Sequence, residues 1–214
     1  MILQEISEKL QACKTKEVVA LVEQAIAEGI PAQVILDDGL LAGMHVIGEK
    51  FKEGKAYVPE VMVASRAMNM GAALLKPLLS DGDVSVVGKV CIGTVAGDRH
   101  DIGKNLVAMM MESKGLEIID LGTDVPAQAF VDTALEQGCD IICCSALLTT
   151  TMDVMGEVVS CAVSAGIRDK VGIMVGGAPV TQEFCAQIGA DVYTADAASA
   201  ADWAVAFCKE KKTV

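Results

Sequence analysis

Val90-Cys91-Ile92-Gly93-Thr94-Val95 runs through Ala96 into Gly97-Asp98-Arg99-His100-Asp101-Ile102-Gly103. The first six residues form an apolar run of strand length, the pattern of a strand buried on both faces. The residues after Gly103, from Asn105 to Met111, open a helix. A short loop at the carboxyl end of a strand therefore carries one histidine, with a carboxylate two residues before it and another directly after it. Histidine is the commonest metal ligand among side chains. A ligating histidine usually gives its second ring proton to a carboxylate, which fixes the tautomer and raises the basicity of the ring. Asp98 is placed to do this. On its own the same loop also reads as a capping or surface histidine.

Two further apolar runs lie downstream. Ile141-Ile142-Cys143-Cys144 leads into Ser145-Ala146-Leu147, and Val171-Gly172-Ile173-Met174-Val175 leads into Gly176-Gly177. Periodicity predicts strands near 89–95, 117–120, 140–144, 171–175 and 191–193. Helices are predicted near 102–114, 126–137, 150–166, 180–188 and 197–210. Apolar strands alternating with helices specify a doubly wound parallel sheet. Ligands of such sheets bind outside the carboxyl ends of the strands, at the point where strand order reverses. His100, Ser145 and Gly176 each follow a different strand.

Upstream the period changes. Val18, Leu21, Val22, Ala25 and Ile26 keep helical spacing, as do Val34, Ile35, Leu40, Leu41, Met44 and Ile47, and then Val61, Met62, Ala64, Ala67, Met68, Ala72 and Leu75. Gly29, Pro31, Gly54 and Pro59 punctuate these stripes. A four-helix bundle is expected over roughly the first 80 residues. The polar, turn-rich Ser80-Asp81-Gly82-Asp83-Val84-Ser85 reads as the linker. The expected division is a helical domain over 1–82, the end of the linker over 83–87, and the alternating domain over 88–214.

Composition limits the function. Of 214 residues, 52% are hydrophobic and only 3% aromatic, so the core is aliphatic rather than absent. A net charge of −12 argues against nucleic-acid binding, which needs clustered Lys and Arg. No apolar run approaches the roughly 18 residues of a membrane span, and Met1 to Lys14 has no signal-peptide core. A cytoplasmic location is expected. The eight cysteines include no Cys-x-x-Cys pair, and they read as small core residues in a reducing compartment. Met109, Met110 and Met111 read as core filling, and His45 as a packed or partly exposed histidine of the helical domain.

The three strand ends together carry more information than any one of them. Asp98-x-His100-x-x-Gly103, then 41 residues, then Ser145-x-Leu147, then 28 residues, then Gly176-Gly177, resembles the cobalamin-binding signature. Gly39-Leu40-Leu41-Ala42-Gly43-Met44, Gly48-Glu49-Lys50-Phe51 and Tyr57-Val58-Pro59-Glu60-Val61 resemble the helical cap of the same proteins. The chain as a whole resembles the small corrinoid proteins of methyltransferase systems for methylamines, methanol and methoxylated compounds. It also resembles the cap plus cobalamin-binding region of methionine synthase.

The resemblance implies a four-helix cap followed by a flavodoxin-like, Rossmann-like α/β domain with five parallel strands. It implies cobalamin or a related corrinoid cycling between cobalt(I) and methyl-cobalt(III), bound base-off and His-on. His100 becomes the lower axial cobalt ligand and Asp98 its proton-sharing partner. Ser145 lines the tunnel for the dimethylbenzimidazole tail, and Gly103, Gly176 and Gly177 lie against that tail. Thr151 places a hydroxyl on Asp98. Arg99, Asp101, Ile102, Leu147 and Thr149 line the cofactor, and Tyr57, Val58 and Met62 cover its upper face. The implied role is a carrier subunit with no catalysis of its own. Its implied partners are a substrate-specific methyltransferase, a second methyltransferase that delivers to a thiol or tetrahydropterin, and a reductive activase. The alternative is a cobalamin-dependent sensor or regulatory module.

Overall fold

The structure, a computed structural model, describes residues 1–79 and 86–213. The expected linker, Ser80 to Ser85, lies outside the described residues. The chain divides into two compact units, one of Met1–Val86 with Ser113–Gly115, the other of Val87–Glu112 with Leu116–Val214.

The first unit is helical: α1 (Ile2–Gln11), α2 (Thr15–Ala27), a continuous stretch of α3 (Ala32–Val34), a π-helical segment (Ile35–Leu41) and α4 (Ala42–Lys52), and then α5 (Val58–Leu75). Most of the stripes read from the sequence face inward: Val18, Val22, Ile35, Leu40, Met44, Val61, Ala64 and Leu75 are fully buried, whereas Met62 of the last stripe is exposed; Ile6 and Leu10 of α1 are buried with them. Gly39 and Gly43 let the third helical stretch cross α1 closely, because a Cβ at Gly39 would stand 3.2 Å from Ile6 and one at Gly43 3.2 Å from the Ser7 backbone. The Tyr57 N–H donates to Glu60 Oε2 at 2.8 Å, which caps the start of α5. His45 is exposed rather than packed.

The second unit alternates: β1 (Lys89–Val95), α6 (Ile102–Glu112), β2 (Glu117–Val125), α7 (Ala127–Gln137), β3 (Ile141–Ser145), α8 (Asp153–Ser164), β4 (Gly172–Gly176), α9 (Gln182–Ile188), β5 (Val192–Tyr193) and α10 (Ala197–Thr213). All strand pairs are parallel, and the order is β2-β1-β3-β4-β5. Strand order reverses between β1 and β3, the place where this topology holds ligands.

Both faces of the sheet are covered. Cys91, Val95, Ile142, Cys144, Ile173 and Val175 pack with Phe130, Val131, Met155 and Val158 of α7 and α8. The alternate residues Val90, Ile92, Ile141, Cys143 and Met174 are buried on the opposite side, where α6 and α10 pack together. Six of the eight cysteines are buried and none is in a disulfide. Met110 and Met111 are fully buried core residues.

Three boundaries differ from the sequence reading by three residues or more. β2 continues to Val125 instead of ending at 120, a 3-10 turn over Thr149–Thr151 precedes α8, which begins at Asp153, and α10 runs to Thr213 instead of 210. β2 is also irregular. Ile92 pairs with Asp120, Gly93 with Gly122 and Val95 with Val125, so β2 carries one extra residue at each of two points. Among the described residues no helix is long and apolar enough to cross a membrane.

Candidate functional site at the carboxyl edge of the sheet

The three parts of the sequence signature meet in one row. Thr94 of β1 is in register with Ser145 of β3, and Ser145 is in register with Gly176 of β4. The Ala146 N–H donates to the Gly176 carbonyl at 3.1 Å and ties the last two ends together. Gly177 has φ +130°, and a Cβ there would run into the Ala146 carbonyl oxygen. That glycine is demanded by the fold itself.

Asp98 is the centre of the site. It is fully buried, and its carboxylate is saturated with donors. Oδ1 accepts the His100 backbone N–H at 3.0 Å and His100 Nδ1–H at 2.7 Å. Oδ2 accepts the N–H of Leu147 at 2.6 Å and that of Leu148 at 3.1 Å; the Thr151 hydroxyl lies 3.5 Å from it and makes its shorter bond, 3.0 Å, to the Leu148 carbonyl. Burial works against the charge, but the backbone donors of His100 and Leu147, the His100 ring and the Leu148 N–H outweigh it. They hold the carboxyl well below the usual carboxylate range. One ionised side chain therefore bridges the loop after β1 to the loop after β3, across the reversal in strand order.

The ring of His100 is oriented by this contact. With Nδ1–H on Asp98, Nε2 is the remaining ligating nitrogen. The His100 side chain is 55% exposed, against 0% for Asp98. Thr94, buried at the end of β1, donates its hydroxyl to the His100 carbonyl at 2.8 Å. Asp101 accepts from Asn105 through both its backbone carbonyl, at 2.8 Å, and Oδ2, at 3.2 Å, and so opens α6. Lys104 is buried and bonds both Asp120 oxygens and Asn105 Oδ1, each at 2.7 Å, fixing α6 to β2.

The structure thus brings Asp98, His100, Leu147 and Thr151 together, with Ser145, Gly176 and Gly177 in the adjoining row. Leu147 enters through its main-chain N–H, while its side chain is exposed. Arg99 lies at the surface within 3.6 Å of Asp124. Ile102 is 75% exposed. Thr149 is exposed at the start of the 3-10 turn and makes no hydrogen bond to the Asp98 cluster. Tyr57, Val58 and Met62 belong to the helical unit, at the start of α5, where Tyr57 and Met62 are exposed. Sequence reading missed Thr94, Leu148, Lys104 and Asp124. Thr94, a polar residue in an otherwise apolar strand, was the one visible signal among them.

Residues 88–202 match the family model of the B12 binding domain, and residues 2–76 match a second model with the same description. Over 200 residues the chain is 44% identical to the dimethylamine corrinoid protein of Methanosarcina barkeri, covering 93% of each chain. The chain belongs to the B12-binding corrinoid proteins. Two solved structures support the same placement of this corrinoid protein. One, of the methanol:cobalamin methyltransferase complex from Methanosarcina barkeri, superposes with a TM-score of 0.88 at 31% identity, over 97% of this chain and 80% of the other. The other, a cobalamin-binding protein from Desulfitobacterium hafniense, gives a TM-score of 0.81 at 29% identity, over 96% and 98%.

The residues present fit such a cofactor. Among the described residues no group of three or more His, Cys, Asp or Glu is placed to hold a metal ion. His100 is a single imidazole donor, the kind of protein ligand that suits a metal whose remaining positions are filled by a macrocycle. Gly103 and Gly176 have ordinary φ, and the nearest atom to a Cβ at either is the Thr194 carbonyl oxygen, 3.9 Å from that of Gly176. Nothing within the fold requires glycine at those two positions. The space that a Cβ would fill suits a ligand lying against the backbone.

Proposed function

We propose that this chain is a corrinoid methyl carrier that works between two enzymes. His100 would ligate the lower face of a base-off cobalamin or related corrinoid through Nε2. When bound, the corrinoid would supply a cobalt centre able to accept and release a methyl group. The chain's own residues serve that exchange. Asp98 holds the Nδ1 proton and keeps the ring in one orientation. If His100 leaves the metal, the Asp98 carboxylate stabilises a proton taken up at Nε2. Ser145 would line the channel for the dimethylbenzimidazole tail, and Gly103, Gly176 and Gly177 would lie along it. Thr151 supports the charge on Asp98, and Arg99, Asp101, Ile102, Leu147 and Thr149 border the ligand. Tyr57, Val58 and Met62 enter the proposal through the family resemblance of the helical domain.

One observation carries this reading: a single buried carboxylate orients the only histidine of the edge and joins it to the loop after β3. A substrate-specific methyltransferase would load the carrier, a second methyltransferase would pass the methyl group to a thiol or tetrahydropterin, and a reductive activase would restore it.

The test uses the full-length holo-protein, reduced under anaerobic conditions. Carbon-14-labelled methylamines, methanol and methoxylated aromatics are offered with and without a donor-specific methyltransferase. Label should move to the carrier only when the methyltransferase is present. Equal transfer without it would show that this chain is itself a methyltransferase, and the carrier reading would fall.

A further inference from the structure

The loop that carries His100 is short, exposed and glycine-bearing, yet it must present one ring nitrogen in a fixed place. From the end of β2, Asp124 contacts three consecutive residues of that loop. Its Oδ1 accepts the Gly97 N–H at 2.8 Å. Its own N–H donates to the Asp98 carbonyl at 2.9 Å. Its Oδ2 lies 3.6 Å from Arg99 Nη2. Gly97 itself has φ +80°, so its N–H is turned out of the strand direction.

The way the chain reaches this arrangement is costly. Asp124 has φ +61°, one of two described non-glycine residues in the left-handed region, a conformation that only a minority of non-glycine residues adopt. It lies at the second of the two extra residues in β2, between Gly122 and Val125. Bulges that re-aim a side chain concentrate beside functional sites, and a strained backbone persists where the surrounding structure holds it in place.

We infer that Asp124 is a positioning residue, a clamp that fixes the loop so that His100 meets a metal above the sheet edge. The inference rests on the reading of His100 as the cobalt ligand. The Arg99 contact is exposed and contributes little. The working contact is the charge-assisted bond to the Gly97 N–H. Two substitutions separate side chain from backbone. Asp124→Gly removes the carboxylate and relieves the positive φ, so the domain should fold. Asp124→Asn keeps an oxygen acceptor and tolerates the left-handed conformation.

Two measurements on the full chain test this. In apo protein, amide hydrogen exchange at Gly97 should be about ten-fold faster in Asp124→Gly, as expected for loss of one hydrogen bond to a charged group, and should return part of the way to the parent rate in Asp124→Asn, whose neutral amide oxygen still accepts the bond. The same proteins, with nitrogen-15 histidine, are then reconstituted with cob(II)alamin and studied by electron paramagnetic resonance. The parent should show hyperfine coupling to a protein nitrogen, and His100→Ala should lose it. Asp124→Gly should bind with about ten-fold lower affinity and a reduced coupled fraction, and Asp124→Asn should recover part of both. Unchanged Gly97 exchange, or full coupling and affinity in Asp124→Gly, would overturn the clamp. Coupling that persists in His100→Ala would instead overturn the ligand assignment, and Gly97 exchange would still decide whether the clamp exists.

Discussion

At the scale of single residues, the site depends on one saturated carboxylate. Replacing Asp98 by Ala leaves the N–H groups of Leu147, Leu148 and His100 without their acceptor, and should destabilise the apo domain by about 3 kcal/mol. Urea unfolding measures this, and its pH dependence identifies the cause. The folded-state pKa of Asp98 lies below the unfolded value of about 4. Its stabilisation is therefore complete above that unfolded value and is lost as pH falls toward the folded one. The gap between parent and Asp98→Ala should be full near pH 6 and shrink below about pH 4. Thr94→Val should cost less, about 1 kcal/mol, by removing the buried hydroxyl's bond to the His100 carbonyl.

At the scale of elements, the strand ends divide a glycine that the fold itself requires from glycines with open space around them. Gly177→Ala should destabilise the apo domain by more than about 2 kcal/mol, because its φ is positive and its Cβ meets the Ala146 carbonyl. Gly103→Ala, inside the first turn of α6 with open space around it, should leave apo stability unchanged or raise it by up to about 0.5 kcal/mol. It should nonetheless weaken corrinoid binding, which titration of the apo protein would reveal. The elements also differ in how far the sequence disclosed them. β1, β3 and β4 were legible because central strands buried on both faces are apolar throughout. The second half of β2 was not, since an edge strand pairs on one side only and tolerates Asp120, Thr123 and Asp124. The π-helical turn over Ile35–Leu41 was hidden because its apolar stripe continues through it without a break. Asp98 could be read from its place two residues before His100, whereas the roles expected of His100 and Thr151 came from the family resemblance. The roles of Leu147, Leu148, Lys104 and Asp124 could not be read, because main-chain donors and cross-strand contacts leave no residue-type signal.

At the scale of the whole molecule, charge governs encounters. The net charge of −12 should draw this chain toward partners with basic docking surfaces, a long-range effect that salt screens. The rate at which a donor-specific methyltransferase loads the holo-protein, measured at low protein concentration, should fall as ionic strength rises from about 0.05 M to 0.5 M. A rate independent of salt would assign docking to apolar contacts instead.

The carboxylate of Asp98 is shared between loops 49 residues apart in the chain, and this sets an order of events during synthesis. A nascent chain that has emerged only through His100 has the ring but no acceptor loop to complete its support. The pocket closes once β3 has joined β1 and its loop has met the Gly176 carbonyl. Ribosome-bound chains ending before Ser145 will therefore carry the histidine and still fail to capture a corrinoid. Loading of the carrier is confined to chains whose central strands have already assembled.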